Sequence, residues 1–171
     1  MRRILLICAS AAVLLPAAAS AGPPRKFAPG FLVVRNAGGG KIDGRSVVTV
    51  VIQGFVIGRV SPEAQARIDV YHLPGAGAPQ AKGPDVSSHG VRWRTLSGVE
   101  YTGSGFRFHA IDGAYRVVVR GSGVYLFAGG HGHVGLRGSA IYPLRDGLYS
   151  VGGARFRSLP ARKLSLPIGG G

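Results

Sequence analysis

The side chains best placed to do chemistry are two histidines and a set of arginines. His131-Gly132-His133 sets two imidazoles two positions apart, and alternate residues of a β-strand share a face, so the pair can present two donors to Zn²⁺ or Cu²⁺. Two donors do not complete a zinc site, which takes three or four, so His72, His89 or His109 would have to join them. Arg92, Arg94, Arg107, Arg116, Arg120, Arg137, Arg155 and Arg157 each stand opposite an apolar alternation, which predicts one arginine-rich sheet face. Guanidinium forks grip phosphate and carboxylate in two-point fashion, so the partner such a face implies is an anionic polymer.

Other chemistries lack their residues. Gly130 to Gly135 fits G-x-G-x-x-G, but Leu136-Arg137-Gly138-Ser139 follows, with no helix to receive a pyrophosphate. No serine stands in a G-x-S-x-G elbow. Of the seven acids, Asp43, Asp112 and Asp146 precede glycine, as turn residues do, and Asp69 lies among strand residues, leaving Glu63, Asp85 and Glu100. No cofactor is indicated.

The elements that must hold these groups are strands. Of 171 residues 46% are apolar and 16% charged, which suits one packed domain, while 29 glycines and 11 prolines exclude a helical bundle. Arg2-Arg3, the apolar run Ile4 to Leu15 and Ala19-Ser20-Ala21 read as a signal peptide over residues 1–21 cleaved before Gly22. The expected location is therefore secreted or cell-envelope, with a single domain over 22–171. Cleavage removes Cys8, the only cysteine, and leaves 19 basic residues against 7 acidic. Seventeen arginines against four lysines fit a GC-rich genome, but base composition does not account for so few acids.

Apolar residues recur at period two, which predicts an all-β domain: an antiparallel β-sandwich or flattened barrel of meandering hairpins, with a β-solenoid as the alternative. Two-residue turns at Asp112-Gly113, Asp146-Gly147 and Gly152-Gly153 would pair Phe108 with Val117, Leu144 with Tyr149 and Tyr149 with Phe156. The motif at Val117 to Tyr125 recurs at Val134 to Tyr142, the feature that keeps a solenoid open. Residues 73–88, with three prolines and three glycines, read as a flexible loop. The expected core is Phe106, Phe108, Tyr115, Val117, Val119, Tyr142, Leu144, Tyr149, Val151 and Phe156, joined by Val48, Val50, Ile52, Ile68, Val70 and Trp93.

Three functions follow as expectations. The first is a non-catalytic module binding cell-wall polymer, anionic lipid or nucleic acid through the arginine face. The second is a structural envelope protein that self-associates through apolar strands such as Val47 to Ile52. The third is a metal-dependent enzyme centred on His131 and His133.

Overall fold

The computed structural model describes residues 30–35, 47–92, 97–138 and 147–170; the expected leader, Trp93, Arg94, Tyr142, Leu144 and the Asp146-Gly147 turn lie wholly or partly outside them. Among the described residues the elements are β1 (Gly30–Arg35), β2 (Val47–Val60), β3 (Ala66–His72), β4 (Gln80–Lys82), β5 (Asp85–Arg92), β6 (Ser97–Ser104), β7 (Arg107–Gly121), β8 (Val124–Arg137), β9 (Leu148–Val151), β10 (Arg157–Ser158) and β11 (Leu164–Ile168). All their pairings are antiparallel, as expected for a sandwich or flattened barrel and unlike the parallel rungs of a solenoid. The strands form one open sheet in the order β10-β9-β1-β8-β2-β7-β3-β6-β5, with β11 also on β8 and β4 also on β7. Only β5–β6 and β9–β10 are neighbours in both sequence and sheet, so most of the predicted meander is replaced by long-range pairing.

Three long strands carry the fold. The turn predicted at Asp112-Gly113 lies inside β7, of 15 residues, and Gly54 and Gly129-Gly130 likewise lie inside β2 and β8, of 14 residues each. Gly54 and Gly130 are cross-strand partners at φ 150° and 140°, and a Cβ on Gly130 would lie 2.1 Å from the Gln53 carbonyl oxygen. Glycine is required here by close backbone approach, not by a turn. On β7 the register runs from Gly54↔Gly113 to Val56↔Ala110, so Ile111 and Asp112 together oppose Phe55, and Asp112 takes φ 60°. This is a β-bulge. It shifts the alternation by one residue, so Phe108 and Ala110 before it and Tyr115, Val117 and Val119 after it all face the core.

The long strands support two wings. The first half of β8 pairs with β1 and the first half of β7 with β4; their second halves pair with β11 and β3. Leu32, Val34, Leu126 and Phe108 of the first wing share one core cluster with Val50, Ile68, Val117 and Val134 of the second. Val48, Ile52, Val70, Phe106 and Tyr149 are buried as expected, and Val151 packs against the cluster half-buried.

Phe156 is the exception. The Gly152-Gly153 turn forms, with φ 61° and 80° and a hydrogen bond from Ala154 N–H to the Val151 carbonyl. Beyond it Tyr149 pairs with Arg157, not Phe156, so one extra residue lies between turn and ladder. A one-residue slip reverses every side chain, and Phe156 is 41% exposed.

Residues 73–88 are not one irregular loop, because they contain β4 and the start of β5. Tyr101 and Tyr115 fasten the remainder by donating hydrogen bonds of 2.8 Å to the carbonyls of Pro79 and Gly77. Desolvation raises both phenols above their ordinary value of 10.0; for Tyr115 the charge of Asp112 adds to this and the Ile111 hydrogen bond opposes it. A raised folded pKa means that this stabilisation is complete below pH 10 and is lost as pH rises through the folded value. Stability measured by urea unfolding is therefore expected to fall above about pH 10. Tyr101→Phe with Tyr115→Phe should cost about 1 kcal/mol per hydrogen bond and flatten that decline.

Candidate polyanion-binding face

Cross-strand register builds a row of cations on the outward face of the first wing. Arg35 opposes Tyr125, Tyr125 opposes Arg59, Arg59 opposes Arg107, and Arg107 opposes Lys82. Directly opposed residues of an antiparallel ladder project to the same side, so these five residues of β1, β8, β2, β7 and β4 form one line. At about 4.8 Å per strand the line is roughly 19 Å long. Arg35, Arg59, Lys82 and Arg107 are exposed, and no ion pair joins any of them to an acid among the described residues.

Two arginines of the row are oriented by aromatic rings. The Arg35 guanidinium carbon lies 4.6 Å from the Phe156 ring centroid, and that of Arg59 lies 4.5 Å from the centroid of Tyr125. Stacking engages the face of the guanidinium, which leaves in-plane N–H groups for an anion. A depression of about 430 Å³ lies along the row, bounded by Arg35, Arg59, Arg107 and Tyr125 and floored by Val33, Ile57, His109 and Phe127.

The predicted arginines divide between the two wings. Arg107 belongs to the row, and exposed Arg155 and Arg157 follow the β9 turn at the β1 edge. Arg116, Arg120 and Arg137 lie on the second wing, where Val47 stands between Arg137 and Arg120, and Arg120 opposes Arg67. Arg92 ends β5, but its side chain, like the whole of Arg94, lies outside the described residues. The single continuous arginine face expected from the sequence divides along β7, which continues through Asp112-Gly113 and places Arg107 on the first wing and Arg116 on the second.

The second wing carries its own acids. Buried Asp69 accepts from Arg67 at 3.1 Å and from Arg120, while Arg67 reaches Glu100 at 2.7 Å. The Asp69 hydrogen bond, with the charges of Asp69 and Glu100, raises Arg67 above its ordinary value, against the opposing effect of burial. Arg116 stacks on Tyr71 at 5.7 Å. Asp69→Ala should destabilise the protein by about 2 kcal/mol, less than a fully buried pair because both arginines remain open to water. Urea unfolding measures this.

His131 and His133 share an outward face of β8, opposite Gln53 and Val51. They border a depression of about 390 Å³ with Tyr71, Leu73 and Arg116. The histidines that would complete a metal site stand elsewhere: His109 opposes Ile57 on the first wing, His72 opposes Tyr115, and His89 is on β5. Among the described residues no three His, Cys, Asp or Glu side chains gather as a metal site. The pair remains a two-donor arrangement, short of what zinc requires.

Sequence reasoning missed Arg35, Arg59 and Lys82. Arg35 and Arg59 carry a local signal, since each occupies the outward phase of an alternation whose other phase, Leu32 and Val34 or Val56 and Val60, is buried. Lys82 lies in the segment taken as a loop and carries none. No protein-family model, curated protein or solved structure matches this chain.

Proposed function

We propose that this protein is a non-catalytic binding module for anionic polymers, held by the row Arg35, Arg59, Arg107 and Lys82. The observation that carries the reading is the row's lack of counter-charge among the described residues, beside a second basic cluster that has Asp69 and Glu100. Like charges placed opposite one another weaken a ladder by some tenths of a kcal/mol per pair. Arg107 meets such a neighbour on both sides. A polyanion relieves that repulsion, and the signal-like leader favours envelope or extracellular polymers as its source.

Thermal unfolding in long-chain polyphosphate, compared with chloride at equal ionic strength, tests the proposal. Specific stabilisation by polyphosphate is expected, worth about 2.7 kcal/mol at a hundredfold excess over Kd. Equal melting in the two salts would refute the binding role. Self-association is the second reading; Val47 to Ile52, the strand expected to mediate it, lies in β2 and is paired on both edges by β8 and β7, so the reading passes to the outer edge of β5, which is open among the described residues. Light scattering that stays monomeric as concentration rises would remove it.

A further inference from the structure

We infer that the anionic partner is a lipid bilayer surface, on which this face docks with its cation row among the headgroups and its phenylalanines in the interfacial layer. The inference rests on the row being an anion site and adds what covers the apolar part of the same face. Two residues along the strands from the cations come Val33, Phe127 and Ile57; two further on come Phe31 and Phe55, both opposite Gly129. At about 6.7 Å per step, the far phenylalanines stand roughly 13 Å from the cations. Phe31, Ile57 and Phe127 are 39%, 40% and 37% exposed, and Ile111 beside them 43%. Asp112, at the bulge, is the acid on these strands, and it lies at the apolar end.

This arrangement selects among anionic partners. A hydrophilic polymer satisfies the cations but leaves the apolar patch in water. Nucleic acid offers stacking, yet Phe127 is tilted by 49° and 53° against Phe31 and Phe55, at 6.3 and 5.5 Å, so the rings pack on one another. The aliphatic neighbours offer no π-face. A bilayer with acidic lipid supplies negative charge in a plane and an apolar layer below it, matching both parts of the face.

The test is flotation of the full chain with phosphatidylcholine vesicles, with and without phosphatidylglycerol, beside polyphosphate binding in solution. Binding above the neutral-vesicle level is expected only with phosphatidylglycerol. Phe31→Ser, which lies outside the depression along the row, should weaken it about tenfold with polyphosphate binding unchanged, while Arg59→Ser should weaken both, by about fivefold on vesicles. Phe31→Trp keeps an aromatic ring in place, and its emission should shift to the blue on acidic vesicles. No preference for phosphatidylglycerol, or unchanged vesicle binding by Phe31→Ser together with unshifted Phe31→Trp emission, overturns the bilayer inference while leaving polyphosphate binding as its own result. Failure to bind polyphosphate would instead overturn the anion site.

Discussion

Replacing Gly130 by alanine is expected to destabilise the protein by roughly 3 kcal/mol or more, a large share of the 5 to 15 kcal/mol typical of a domain. The added Cβ would stand 2.1 Å from the Gln53 carbonyl oxygen, at a φ of 140° that side chains rarely adopt. The clash is with backbone, so no rotamer change relieves it, and β2 and β8 would have to separate where they cross from one wing to the other. Gly90→Ala is the control, since its Cβ would meet nothing within 4 Å. Urea midpoints should fall sharply for the first variant and stay near the parent value for the second, at unchanged slope.

The second large effect concerns binding, with stability moving the other way. Arg107→Thr removes a cation opposed by Arg59 and Lys82, and threonine suits a strand. The variant should gain roughly 0.5 kcal/mol in stability and bind polyphosphate about tenfold more weakly, through loss of a charge-assisted contact. Thermal unfolding and a binding titration on one preparation measure both. A structural arginine would show loss of stability, whereas a side chain kept for an anion shows its removal stabilising the free protein.

Much of the core was legible because alternation reports which phase of a strand is buried. Phe106, Phe108, Tyr115, Val117 and Val119 are all inward. The same pattern misled on connectivity at Asp112-Gly113. A two-residue hairpin turn and a one-residue bulge both shift the apolar phase by one, so the sequence around that dipeptide fits either. What separates them is the partner strand, and β2, some sixty residues earlier in the chain, supplies the pairing that carries β7 through as one strand.

That single ambiguity hid the cation row. Read as a hairpin, Arg107 opposes Val118; read as one strand, it opposes Arg59 and Lys82, and the row with Tyr125 and Arg35 follows. Phe156 failed for a related reason, since the residue inserted after the Gly152-Gly153 turn has no mark of its own in the sequence. β11 has no clear mark in the sequence, since Pro167 cannot donate to a ladder; among the described residues the strand pairs on one side only, with β8. His131 and His133 share a face as their spacing requires, but whether a third ligand approaches depends on folding over long separations.

The most direct measurement is retention on immobilised polyphosphate across a salt gradient for two double variants. Arg59→Ser with Arg107→Ser removes two cations of the row; Arg116→Ser with Arg137→Ser removes the same charge from the second wing. The first pair should lower affinity on the order of tenfold per arginine and reduce the slope of log affinity against log salt by about 1.5, while the second leaves the slope nearly unchanged. Equal losses from the two pairs would mean that binding follows total charge and that the cation row is not the site.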